Sequence, residues 1–188
     1  MNTSFSKGFR FTLIACAFLS AVVAAGAAQA DLPVSPANPG RAGEDAKALV
    51  KANNLAAAEK RLTDLNVSPK GTPAWSLESS HRLLQLAQQL AREGTNGDKV
   101  PPVITRTLQH LGTAATLGAA AKDNRAQAKA KAFSGFIQER YLGDLSAAIA
   151  SYKAAAEFDP EDAGIREALD RLKRIEAILQ AKIPTKRQ

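Results

Sequence analysis

Phe133 to Pro160 reads FSGFIQERYLGDLSAAIASYKAAAEFDP, and this stretch decides the fold. In its second half Leu145, Ala148, Ile149, Tyr152, Ala155 and Ala156 recur at the three- and four-residue steps of one helix face. Gly143 is suited to the positive φ that ends a helix, and Asp144 to the cap that starts the next. Alanines at 147, 148, 154 and 155 let two helix axes come close, while Phe133, Phe136, Tyr141, Tyr152 and Phe158 supply bulk. The pattern predicts two antiparallel helices folded at Gly143-Asp144. Asp159 then reads as the cap of a further helix with Pro160 at its first position, where a missing N–H costs nothing. Asp162 reads as a first-turn carboxylate, favourable against the helix dipole.

At these residues the stretch resembles a tetratricopeptide repeat. Leu142-Gly143-Asp144, Ala148, Tyr152, Ala155 and Pro160 match that family's order and spacing. Two departures stand out. Gly135 matches the first-helix glycine only when one extra residue is admitted before Gly143, and Leu145 replaces the aromatic that follows Gly-Asp. The match covers about a sixth of the chain. The resemblance implies stacked helical hairpins whose first helices line a concave groove for an extended peptide or a partner helix.

Working outward, Ile165, Leu169, Leu172, Ile175 and Leu179 mark a last helix with one apolar face. Glu167 with Arg171 and Asp170 with Arg174 have the i,i+4 spacing of ion pairs on its solvated side. Such a helix closes the open end of a hairpin array, and Lys182 to Gln188 should fray. Upstream, Asn124 and Gln127 have the spacing of a capping box for the helix that carries Phe133 and Phe136. Thr72-Pro73 opens another helix, with Trp75, Leu77, Leu83, Leu84, Leu86, Ala87 and Leu90 on a broad apolar face. A break at Gly94 to Asp98 leads to Val103, Ile104, Leu108, Leu111, Ala115 and Leu117, a second hairpin. In Glu44 to Leu65, Ala48, Leu49 and Ala52 form an apolar face, Asn53-Asn54 breaks it, and Leu55, Ala58, Leu62 and Leu65 resume it. Asn53-Asn54 falls over Gly143-Asp144, with asparagine where a left-handed residue is wanted and a second capping residue after it.

The breaks at Asn53, Gly97 and Gly143 recur at intervals in the mid-forties, longer than the roughly 34 residues of an ideal tetratricopeptide repeat. The expected fold is therefore all-α: an irregular TPR-like solenoid of about three antiparallel hairpins plus a C-terminal capping helix, over residues 44–181. Few runs alternate apolar and polar residues, so almost no sheet is expected.

The N-terminus reads differently. Lys7 and Arg10 make a basic, acid-free start, Phe11 to Ala28 is apolar, and Ala28-Gln29-Ala30 offers a small-x-small cleavage pattern. Residues 1–30 thus look like a secretory signal, which implies a periplasmic or secreted protein. Two other readings of the segment stand beside it. Leu13-Ile14-Ala15-Cys16 fits a lipobox that would lipidate Cys16, and the apolar run approaches the length of an uncleaved anchor. Residues 31–43, with Pro33, Pro36 and Pro39, read as an extended linker. The single cysteine lies in the signal, so the mature chain has no disulfide or thiol chemistry. Without Lys7 and Arg10, 23 basic residues face 18 acidic ones, a mature net charge of +5. The cations are spread among acids rather than gathered beside aromatics, which argues against nucleic acid.

No phosphate loop, G-x-S-x-G, H-E-x-x-H or haem-attachment motif occurs. His81 and His110 lack a second ligand at metal spacing and read as surface or rim histidines; Trp75 reads as half-buried packing. Neither a cofactor nor an enzymatic activity is expected. The resemblance places Lys129, Ala132, Phe136 and Glu139 on the groove face, with Lys129 meeting a carboxylate and Phe136 offering an apolar pad. The plain alternative is a core Phe136 and a solvated Lys129. The expected role is a non-catalytic protein-interaction scaffold of the bacterial envelope. A self-associating structural component or a non-catalytic subunit of a cell-wall enzyme is the alternative.

Overall fold

The computed structural model describes residues 39–94 and 97–182. The segment expected to be a secretory signal (1–30), residues 31–38 of the expected linker, residues 95–96 and the expected frayed tail from 183 lie outside them. Seven helices follow one another: α1 Pro39–Lys51, α2 Leu55–Thr63, α3 Pro73–Arg92, α4 Val100–Ala120, α5 Asn124–Ile137, α6 Leu145–Phe158 and α7 Ala163–Lys182. No strand occurs among the described residues. Each helix packs on the next in chain order, α3 with α4 and α5 with α6 most extensively, then α4 with α5 and α1 with α2, so that α1–α2, α3–α4 and α5–α6 form three successive hairpins and α7 packs on α6. The all-α, hairpin-plus-cap architecture is the one expected. None of the described helices is long and apolar enough to cross a membrane.

Three joints share one device. Asn53, Lys122 and Gly143 take φ of 61°, 56° and 66°, and the residue after each is a helix N-cap. The Asn54, Asp123 and Asp144 side chains accept from the amides of Ala57, Ala126 and Ala147 at 3.1, 2.9 and 2.9 Å. Backbone bonds reach back over the outgoing turn, from Asn54 to Leu49, Asp123 to Gly118 and Asp144 to Gln138. Each joint so satisfies the last carbonyls of one helix and the first amides of the next within a few residues. Thr72 caps α3 through the Trp75 amide at 3.2 Å, with Pro73 at the first position.

Four local expectations need correction. Helix α1 begins at Pro39, inside the stretch read as linker, because proline suits a first helical position and Ala42 finds a buried place. Its buried face is Ala42, Ala46 and Val50, whereas Ala48 and Ala52 are exposed. Asp123, not Asn124, caps α5. Asp162, not Asp159, caps α7, its Oδ1 accepting from the Ile165 amide at 3.0 Å, which leaves Pro160 in the preceding turn. Where several polar residues adjoin, local spacing alone does not choose among them.

Two buried clusters hold the array. One gathers Leu83, Leu84, Leu86 and Leu90 of α3, Val103, Ile104 and Leu111 of α4, Val50, Leu62 and Ile137. Each such leucine contributes roughly 1.5–3 kcal/mol by leaving water. The other gathers Ala128, Ala148, Ile149, Tyr152 and Ala155 with Ile165, Leu169 and Leu172 of α7. Phe136 packs against both. Between α5 and Gly143 the chain makes a π turn, Gln138–Leu142. A π turn fits one residue more than an α turn, so it absorbs an insertion without breaking the helix.

Candidate functional site

Helices α3, α5 and the start of α7 wall an open cleft of about 720 Å³. Leu77, Glu78 and His81 come from α3, Arg125, Lys129, Ala132 and Phe133 from α5, and Gly164 and Ile165 from α7. These are the opening helices of successive hairpins plus the cap. Their spacing follows from the fold: Arg125, Lys129 and Ala132 recur at four- and three-residue steps and so share a face.

Apolar and charged groups alternate across this cleft. The His81 imidazole stacks on the Phe133 ring with centroids 4.5 Å apart and planes 25° from parallel. Partial burial, and then the Lys129 ammonium, push that imidazole below its ordinary value. It is therefore neutral at pH 7 and presents a flat, weakly polar ring. Phe133 continues to Phe136 at 6.3 Å, Phe136 to Tyr141 at 6.2 Å, and the Tyr141 hydroxyl accepts from Gln88 Nε2 at 2.9 Å. The stack is thus braced from behind by α3.

The acids are mostly engaged. Glu78 accepts from the Val67 amide at 2.9 Å and from the Ser68 hydroxyl, which fastens the α2–α3 loop. The Ser68 bond holds its carboxyl below the usual range, against the opposing effect of desolvation. Asp162 is spent on the α7 cap. Arg125 and Lys129 are exposed, and neither takes part in an ion pair among the described residues. Standing at i,i+4, these like charges repel modestly until an anion joins them. Asp159 supplies a carboxylate at the α6 end of the cleft.

Of the four groove residues expected from sequence, the cleft brings together Lys129 and Ala132 only. Phe136 is half-buried between the two clusters, which is the core alternative for that side chain. Glu139 points to α7 instead: both its oxygens accept from the Arg171 guanidinium, the Nη2–Oε2 contact being 2.9 Å. Arg171 holds the Glu139 carboxyl below its ordinary value. Arg171 is therefore an interhelical partner rather than the surface partner of Glu167. The π turn accounts for Glu139, since it rotates everything after Ile137 relative to the face that carries Lys129, whereas Phe136 precedes the turn and is drawn inward by packing against both clusters.

Sequence reading missed His81, Phe133 and Arg125 as cleft residues. The step from Lys129 back to Arg125 was a usable signal; the stack was not, because it joins different hairpins. His110, expected at the surface or rim, lies in the joint between hairpins one and two. Its Nε2 is 2.8 Å from Glu59 Oε1, its ring centroid is 5.6 Å from that of Trp75, and Arg106 shares Glu59. Trp75 is half-buried, as expected. Among the described residues no three His, Cys, Asp or Glu side chains gather closely enough to hold a metal ion. No family model, curated protein or solved structure matches the chain.

Proposed function

We propose that this chain is a non-catalytic protein-interaction module of the bacterial envelope, which holds an extended peptide or a partner helix in the cleft between α3, α5 and α7. The observation that carries the reading is the cleft's make-up: a braced aromatic stack beside two unpaired cations, on the opening helices of successive hairpins. Stacked hairpins with a concave face are the architecture of extended binding surfaces. The tetratricopeptide resemblance gains support from one contact and one turn. A Cβ at Gly135 would sit 2.8 Å from the Tyr152 ring, so the two signature positions touch. The extra residue before Gly143 falls in the π turn.

The export reading rests on the N-terminal sequence: a basic start, the apolar Phe11 to Ala28 and Ala28-Gln29-Ala30. Affinity capture from envelope extract, with wild type against a Lys129→Glu/Ala132→Arg double variant, tests the cleft. Lys129 is exposed and Ala132 packs partly buried against the second cluster, so circular dichroism is recorded beside the capture to establish that the variant is folded. Partners recovered by wild type and lost by the variant support the reading. Identical recovery by both removes the cleft from it.

A further inference from the structure

The α5 wall of the cleft has a spacing that an occupant must match. Arg125, Lys129 and Phe133 all line the cleft and stand at i, i+4 and i+8. Neighbouring positions of this set are therefore about 6 Å apart along the helix. On an extended chain, side chains of one face recur at every second residue, about 6.6 Å apart. Over both steps the two spacings differ by about 1 Å, which the long arginine and lysine side chains take up. Residues i, i+2 and i+4 of an extended segment can thus meet all three positions.

Volume separates an extended occupant from a helical one. A helix spanning the same positions, about 12 Å long and 10–12 Å across, fills roughly 950–1,350 Å³. An extended segment of that span, one strand spacing wide and one sheet spacing deep, fills roughly 600 Å³. The cleft offers about 720 Å³. It seats the strand and not the helix.

Charge then selects the side chains. Arg125 and Lys129 are exposed, with no ion pair among the described residues. The cleft's carboxylates stand to either side of that wall. Glu78 of α3 accepts from Val67 and Ser68, and Asp162 from the Ile165 amide. Asp159 ends α6, and because Gly135 meets Ala148 and Tyr152, the antiparallel register brings that end level with Arg125. These acids confine the cationic field to the α5 wall: an acidic residue is attracted opposite Arg125 and Lys129 and repelled beyond them. Past Lys129 the wall turns apolar, at the stack of His81 on Phe133.

We infer that the occupant of the cleft is an extended acidic segment of a partner protein, patterned acid-x-acid-x-apolar in one chain direction or the other. Its two carboxylates meet Arg125 and Lys129, and its apolar side chain rests on the His81–Phe133 stack. The inference rests on the cleft being a peptide site, and adds the charge, spacing and conformation of what lies there.

The test is fluorescence anisotropy of the whole protein with end-blocked peptides, so that chain termini contribute no charge. Gly-Glu-Ser-Glu-Ser-Leu-Gly and its reverse are compared with the same peptides carrying glutamine or lysine in place of glutamate. The better glutamate peptide should bind about fivefold tighter than its glutamine counterpart at about 0.05 M salt, and the gap should close towards about 0.5 M. Arg125→Gln/Lys129→Gln should bind the glutamate and glutamine peptides alike, at the wild-type affinity for the glutamine peptide. That retained binding is a result a misfolded variant would not give. Equal binding of glutamate and glutamine peptides by wild type overturns the inference and leaves the peptide reading standing. So does tighter binding of the lysine peptide, which would give the cleft to a basic segment. A glutamate preference that survives in the double variant, or tighter binding of a stapled helix with glutamates at i,i+4, also overturns it. Binding of none of the peptides removes the peptide reading and the inference together.

Discussion

The two ends of the array are built on opposite packing principles. Hairpins one and two meet through leucine: α3 and α4, of 20 and 21 residues, enclose Leu83, Leu86, Leu90 and Leu111 almost completely. Hairpin three meets through the absence of side chain. Its two α helices are 14 residues each, its fully buried positions include Ala130, Ala148 and Ala155, and Gly135 receives the Tyr152 ring directly. Both solutions exclude water, but they fail differently. A leucine core is sensitive to lost volume, whereas a glycine–tyrosine contact is sensitive to added volume.

The largest effects should therefore come from opposite substitutions. Leu86→Ala opens a cavity in the first cluster and should cost about 3 kcal/mol, within the usual range for such truncations. Gly135→Val should cost about 2 kcal/mol in hairpin three, since its Cβ would stand 2.8 Å from the Tyr152 ring and 3.2 Å from the Ala148 carbonyl oxygen. Urea unfolding measures both, and equal tolerance of added volume at the two ends would break the contrast. A smaller effect sharpens it. The leucine cluster needs no charge, whereas α7 is fixed to hairpin three partly by Glu139–Arg171. Glu139→Gln should cost about 1 kcal/mol, because Arg171 remains partly solvated. The folded Glu139 carboxyl sits below its ordinary value of 4.5. Its contribution is thus complete above about pH 4.5 and fades as pH falls through the depressed folded value. The stability gap between wild type and Glu139→Gln should close over that acidic window, and a gap unchanged from pH 7 to 3 would contradict the ion-pair account.

The same contrast explains what was legible beforehand. Helices and hinges announce themselves locally: Asn53-Asn54, Thr72-Pro73 and Gly143-Asp144 each combine a turn-forming or capping residue with the start of an apolar period. Lys122 has no such mark, since its left-handed φ of 56° is imposed by the closing bonds around it. Rotational register was the weakest point. The π turn at Gln138–Leu142 leaves no trace in an apolar pattern, yet it sends Glu139 to Arg171 and away from Lys129. Of the expected groove face, Lys129 and Ala132 line the cleft, Phe136 turns into the core on the straight part of α5, and Glu139 lies beyond the bend. The His81–Phe133 stack depends on two hairpins meeting and has no local signature.

The proposed role makes the cleft, and not the outer surface of the hairpins, the place where a partner lies. Site-specific photo-crosslinking in living cells tests this most directly. A photoreactive residue is placed at Lys129 or Ala132 on the cleft wall, or at the exposed Ala150 on α6. The account predicts a discrete crosslinked species from the two cleft positions and none from Ala150. Adducts of the same size and yield from all three positions, or from Ala150 alone, would contradict it.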